Sequence, residues 1–201
     1  MGSSASEIME SVLASPLAMV VTNPRAPDNP IEIANRAFCE LTGYDETEIV
    51  GRNCRFLAGD QTESWISDQI RSAIERRRPV LVDILNYRRD GSAFRNGVMV
   101  TPLFGETGEL MYFLGSQVDL GADDPMALSA RRTRAASLVN TLPQRQREVL
   151  VGMANGLLNK QIAHELGIAE KTVKMHRALL LDRLGVRTSA EAIRLAVEAG
   201  L

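Results

Sequence analysis

Asn159-Lys-Gln-Ile-Ala-His-Glu-Leu-Gly-Ile-Ala-Glu-Lys-Thr-Val-Lys-Met-His176 carries two helical patterns separated by a turn at Gly167-Ile-Ala169. Asn159–Leu166 predicts a short helix stopped by Gly167, and Glu170–Leu184 a longer one stopped by Gly185. Helix, tight turn, helix has the proportions of a helix-turn-helix, whose second helix enters a DNA major groove. At about 100° per residue, Val173, His176, Leu180 and Leu184 gather on one side of that second helix, and Lys171, Lys174, Met175 and Ala178 on the other. One side packs; the other is cationic. Lys174 and Met175 are placed to reach base edges and Ala178 is small enough for close approach, whereas Lys160, Lys171, Thr172 and Arg177 suit phosphate oxygens of double-stranded DNA. His176 lies on the packing side and reads as a core residue. His164 has no Cys or carboxylate at ligand spacing, so no metal site is expected.

Outward from this pair, Thr141-Leu-Pro-Gln144 predicts a capping-box start for a helix ending at Gly156, and Thr188-Ser-Ala-Glu191 caps a fourth helix running to Gly200. The fourth helix has two apolar sides. Ala192, Leu195, Ala196 and Ala199 form one, able to pack internally; Ala190, Ile193, Val197 and Leu201 form the other, which a partner must cover. Upstream, Asp123-Asp124-Pro125 predicts the start of a linker helix within 121–140. Charge divides the chain in the same way: residues 1–121 carry eleven Arg against seventeen acids, and residues 141–201 nine basic residues, including every Lys, against six acids. An acidic regulatory half followed by a basic tail that meets a polyanion is the pattern expected of such a split.

Leu142-Pro-Gln-Arg-Gln-Arg-Glu148, Asn159-Lys-Gln-Ile-Ala163 and Lys171-Thr-Val-Lys-Met-His176 resemble the four-helix output domain of LuxR/NarL-type transcription regulators over about the last 60 residues. The resemblance implies that Glu170–Leu184 is the recognition helix. It also implies that the fourth helix, through Ala190, Ile193, Val197 and Leu201, is the dimerisation element.

The front half mixes strand and helix signals. Leu17–Thr22 and Ile31–Ile33 read as hairpin partners across the turn-rich stretch Asn23–Pro30. Short helical segments follow at Asn35–Leu41 and Glu46–Val50, then a longer one at Thr62–Arg77, then strands at Val80–Tyr87, Phe94–Pro102 and Glu109–Asp119. Within Gly51-Arg-Asn-Cys-Arg-Phe-Leu57, Cys54 sits between Asn53 and Arg55 in a polar loop-to-helix setting, which favours chemistry over packing. Cys39, beside Phe38 and Leu41, reads as core. Asn86 and Asn96 share a sheet face if the Asp90-Gly91 hairpin loop has odd length and lie on opposite faces if it has two residues. Together with Gln117 they present amide donors and acceptors that match an imide-like ring edge.

These residues, with Pro27-Asp-Asn-Pro30, Asn35-Arg-Ala-Phe38, Leu41-Thr-Gly-Tyr44, Ile84-Leu-Asn-Tyr87 and Phe113-Leu-Gly-Ser-Gln117, resemble the LOV class of PAS domains, blue-light sensors that bind a flavin, over about residues 15–120. The resemblance implies that Cys54 bonds to the flavin C4a after excitation and that Arg55 and Arg71 hold the phosphate. Asn53, Asn86 and Asn96 would hold polar atoms of the cofactor, and Gln117 would face its N5/O4 edge. FMN is the expected cofactor and FAD an open alternative, because Ala58 stands where the family usually has Gln, which removes a polar contact and leaves space.

The 201 residues and 22.0 kDa suit two small domains. The expected fold is an α+β PAS-like antiparallel sheet domain (15–120) after an N-terminal extension (1–14), then a linker helix (121–140) and an all-α helix-turn-helix domain (141–201). Two Cys, no apolar run of about 20 residues and an opening segment without a secretory pattern predict a cytoplasmic protein without membrane contact. Residues 1–121 contain no His and no Rossmann glycine pattern, so an enzyme is not expected. The expected function is light-regulated DNA binding, monomeric in darkness and homodimeric when activated. The alternative is a LuxR-type regulator sensing a small molecule or redox state.

Overall fold

Alternation of side chains along five strands creates two buried faces, and each is covered by a different part of the chain. A computed structural model describes residues 3–121 and 127–201. The strands are β1 (Ala18–Thr22), β2 (Ile31–Ala34), β3 (Val80–Tyr87), β4 (Ala93–Phe104) and β5 (Leu110–Gln117), in the fully antiparallel order β2-β1-β5-β4-β3. Val20, Ile84, Val98 and Phe113 point to the inner face, under α2 (Arg36–Thr42), α3 (Glu46–Ile49) and α4 (Ser64–Glu75). Met19, Val21, Met99, Leu103, Tyr112 and Leu114 point outward, where they join one continuous core with the C-terminal helices.

Asn35 ties the inner layer to the N-terminus. Its Oδ1 caps α2 by accepting from Phe38 N (3.0 Å) and also accepts from Met19 N (3.0 Å). Its Nδ2 donates to the carbonyls of Val12, Ser15 and Leu17, so one fully buried amide fixes the entry of β1.

The tail contains α5 (Ala127–Asn140), α6 (Gln144–Ala154), α7 (Asn159–Leu166), α8 (Glu170–Leu184) and α9 (Ser189–Glu198). Gly167, at φ +65°, ends α7 in the left-handed conformation that a residue with a Cβ adopts only at a penalty. Thr188 caps α9 as expected, accepting from Glu191 N. The expected Thr141 capping box is absent, because Pro143 holds the cap position of α6 and the Thr141 hydroxyl donates to Leu138 O, closing α5. Residues 1–14, read as an extension, include a helix, α1 (Ser3–Leu13), whose Val12 is fully buried in the shared core. The Asp123-Asp124-Pro125 helix start lies outside the described residues.

Candidate functional site

On the inner face the sheet and helices enclose a cavity of about 510 Å³. It brings together Cys54, Asn53, Arg55, Arg71, Asn86, Asn96 and Gln117, with apolar walls from Val20, Leu57, Ile70, Ile84 and Phe113. Cys54 opens a one-turn 3-10 helix (Cys54–Leu57). Asn53 builds that turn: its Oδ1 accepts from Arg55 N (3.0 Å) and its Nδ2 donates to Asp28 O (2.6 Å), so its amide serves backbone groups rather than the cavity. Burial pushes the Cys54 thiol up to about 12, partly offset by a backbone hydrogen bond. The thiol therefore keeps its proton throughout the neutral range.

Five residues, 88–92, connect β3 to β4, and this odd loop places both asparagines on the inner face. Asn96 Nδ2 donates to Asn86 Oδ1 at 2.9 Å, and Asn86 Nδ2 donates to Leu85 O. Asn96 Oδ1 and Gln117 Oε1 are buried with no hydrogen-bond partner among the described residues, and so is Asn29 Oδ1. Buried amide oxygens without partners are costly, so such a group points to a donor on whatever the cavity binds. Sequence reasoning missed Asn29. Its signal was Pro27-Asp-Asn-Pro30: Asp28 (φ +69°) and Asn29 (φ +48°) adopt the left-handed conformation that these two residue types tolerate best among those with a side chain.

Arg55 and Arg71 line the mouth and are both largely exposed. Arg55 pairs with Asp28, and Arg71 with Asp68 at 2.6 Å. A guanidinium pair at the rim can take one terminal phosphate by exchanging these exposed pairs, which are individually weak. Ala58 also lines the rim. The site can therefore hold a planar heterocycle with alternating donors and acceptors and an anionic tail at the surface.

A second candidate surface lies on α8. Val173, Leu180 and Leu184 are buried, while Lys171, Lys174, Met175 (51% exposed) and Ala178 face solvent together with Lys160. Thr172 is half-buried. Arg177 departs from the expectation of a phosphate contact: its Nη1 donates to Asn159 Oδ1 (2.6 Å), its Nη2 to Ser189 Oγ (2.7 Å), and Glu7 lies 3.7 Å away. Desolvation lowers this guanidinium's pKa, with Glu7 opposing. Arg177 thus joins α8 to α7, α9 and α1. His176 is half-buried, as a core-side residue should be.

The second apolar side of α9 rests against the chain's own sensor half. Ala190, Ile193 and Val197 are buried and Leu201 half-buried. Ala190 N donates to Ser11 Oγ of α1, Arg194 reaches β4 and β5, and Val197 and Leu201 border Val80 and Leu81 of β3. Two further contacts fix the tail: Thr101 Oγ1 donates to Ala154 O (2.7 Å), and Phe104 N to Gly156 O (3.1 Å). Among the described residues there is no cluster of three metal-ligating side chains, and no helix long and apolar enough to cross a membrane.

Residues 16–122 match the PAS domain family, and residues 140–196 match the bacterial regulatory proteins of the luxR family. The chain belongs to the PAS-domain family, with a luxR-family segment following the sensor. It is 47% identical over 110 residues to a blue-light-activated histidine kinase of Brucella anthropi, covering 55% of this chain and 22% of that protein. A blue-light-activated histidine kinase of Rhizobium johnstonii is 49% identical over 104 residues, covering 52% and 30%. The chain thus spans less than a third of the curated relatives it matches. Among solved structures, the LOV domain of the Erythrobacter litoralis blue-light activated histidine kinase superposes with a TM-score of 0.52 and 37% identity, covering 54% of this chain and 99% of that one. The dark structure of the Aureochrome1 LOV photoreceptor gives 0.53 and 35%, covering 63% and 88%. These likenesses place the sensor half among LOV-type PAS domains, the fold class that its sheet and helices define.

Proposed function

We propose that this chain is a flavin-binding blue-light sensor that controls DNA binding by its luxR-type tail through the accessibility of α9. The observation that carries this reading is an asymmetry: the cationic face of α8 is open to solvent, whereas the second apolar side of α9 is covered by the sensor sheet and α1. What the sensor masks is the surface for pairing two copies, not the surface for reading bases. Uncovering it would let two recognition helices meet half-sites about 34 Å apart.

A flavin in the 510 Å³ cavity would supply blue-light absorption and an electrophilic ring carbon, the chemistry that the Cys54 sulfur lining the cavity could answer as nucleophile. The residues fit it by their chemistry: three unpartnered amide oxygens for the donors such a cofactor would carry, one ring N–H and the hydroxyls of its side chain, and a guanidinium pair for the phosphate. Cys54 holds both a nucleophilic sulfur and the proton that must be placed elsewhere when that sulfur bonds. Gln117 can turn either its Oε1 or its Nε2 toward the cavity, so a changed demand there becomes a changed hydrogen bond on β5. Arg55 and Arg71 suit the single phosphate of FMN; extracting the pigment and weighing it separates FMN from FAD. Shifting the closed form from 1:99 to 99:1 needs about 5.5 kcal/mol, more than one hydrogen bond supplies. Light therefore shifts the balance partway, and dimerisation and DNA complete it.

The raised Cys54 pKa argues against the redox alternative, since oxidant-sensing thiols are exposed thiolates with lowered pKa. Histidine-kinase activity belongs to the named relatives; here the sensor is followed by a luxR-family segment. The test is the visible spectrum of the purified yellow protein. Bleaching under blue light with recovery in darkness, abolished in Cys54→Ala while pigment stays bound, is the expected result; wild-type protein whose colour ignores blue light contradicts the proposal.

A further inference from the structure

The largest fully buried side chain among the described residues is a charged one, Arg194 of α9, only 1% exposed. It lies in the seam between α9 and the sheet, where it reaches groups on β4 and β5. An ion placed in such surroundings loses several kcal/mol of hydration, recovered only when its hydrogen bonds are complete and well aimed. Three donors of Arg194 are in use. Nε donates to Glu198 Oε1 (2.6 Å), Nη1 to Ser116 Oγ (2.9 Å) and Nη2 to Gly97 O (3.1 Å). Glu198, itself buried, also has Arg131 3.5 Å away.

The two sheet acceptors are the chain neighbours of the two strand amides, Asn96 and Gln117, whose oxygens are unpartnered in the cavity. Ser116 precedes Gln117 on β5, and Gly97 follows Asn96 on β4. Alternation turns the Ser116 side chain to the face opposite Gln117, where the guanidinium meets its Oγ and also the backbone carbonyl of Gly97, so the charge lies across the sheet from the pair that faces the cavity. The backbone links them further, because Gly97 and Val118 exchange hydrogen bonds (Gly97 N to Val118 O 2.8 Å; Val118 N to Gly97 O 3.2 Å). Apolar contacts elsewhere in the seam tolerate a shift of a few tenths of an ångström, but a buried guanidinium that loses one acceptor does not, since that donor is left desolvated and unpaired.

We propose that Arg194 is the positioning residue through which the sheet reads the cavity and holds α9, releasing it when Ser116 or Gly97 moves. The Glu198 pair is local to α9, four residues along the same helix, and stays with Arg194 after release. The bonds to Ser116 and Gly97 are the ones broken. Desolvation already depresses this guanidinium's pKa, opposed by Glu198, which marks the docked position as the less comfortable one for the charge.

This inference rests on the light-sensor reading above, and Ser116→Ala tests the two separately. The substitution removes one acceptor on the sensor side, leaves the cavity lining and the α9 surface unchanged, and takes away a single oxygen, so folding is preserved. Full-length pigment-bound protein is compared with wild type by sedimentation velocity in darkness and under blue light, with bleaching and recovery followed in the same samples. The expected result is normal bleaching with a dark dimerisation constant at least tenfold tighter, equivalent to about 1.4 kcal/mol. Arg194→Lys, which keeps the charge but lacks the fork needed for two sheet acceptors, behaves the same way. Normal bleaching with dark dimerisation within twofold of wild type overturns the role of Arg194 and leaves the photoreceptor reading standing. Bleaching altered by Ser116→Ala also overturns it, because the effect would then arise in the cavity. A wild-type control that does not bleach fails the photoreceptor reading instead.

Discussion

At the residue scale, the central group is the half-buried Cys54 thiol, whose pKa desolvation raises above its ordinary value. Cys54 was legible in the sequence because Asn53 and Arg55 flank it in a polar turn, whereas the asparagine pair was legible only as two alternatives, between which the five-residue loop decides. Arg194 and Arg177 were not legible. Their partners lie 78 and 97 residues away in one case and 18 and 12 in the other, and helix periodicity alone reports a basic residue, not the acceptors that it meets. The Cys54 pKa carries a prediction about alkaline stability. The thiol is raised from 9.0 to about 12 in the folded protein, so the unfolded chain releases its proton first, and stability falls as pH climbs from 9 toward 12. The loss is at most about 1.4 kcal/mol per pH unit. Denaturant titrations at pH 8 and pH 10 should show a smaller loss in Cys54→Ala than in wild type; equal losses contradict the burial of this thiol.

At the element scale, the sheet and the output helices were legible from apolar runs and turn chemistry, because the strands are short apolar stretches bounded by turn residues and each of α7 and α8 ends at a glycine. Helix α1 was missed because Ser3-Ser-Ala-Ser6 reads as loop, although Ile8, Met9 and Val12 already form a narrow apolar stripe at helical spacing. The Thr141 capping box failed because a preceding helix competed for the same hydroxyl. The docking of α6 and α7 on β4 depends on Gly156, which has φ +76° and whose added Cβ would lie 2.0 Å from Pro102 O. That clash is with backbone and exists only when the tail is docked. Gly156→Ala should therefore weaken docking beyond the about 1–2 kcal/mol of left-handed strain, visible as faster proteolysis of the tail in darkness with the visible spectrum unchanged. Wild-type resistance in this variant would show that the Gly156 turn does not hold the tail.

At the scale of the whole molecule, the acidic front and basic tail are joined by one continuous apolar core, so the sheet and α1 cover the second apolar side of α9 while the cationic side of α8 stays open to solvent. Even the docked protein should bind duplex DNA weakly through phosphate contacts. Each Lys that contacts phosphate adds about 0.9 to the steepness with which log affinity falls against log salt. Lys171→Ala should lower that steepness by about 1 in fluorescence anisotropy titrations, while an unchanged slope would remove Lys171 from the interface.

Regulation by release of α9 is tested most directly by mass. Light scattering on pigment-bound protein should give about 22.0 kDa in darkness and a shift toward twice that under blue light, absent in Cys54→Ala. Wild-type protein that bleaches fully yet keeps one mass in light and darkness, with or without duplex DNA, would contradict it.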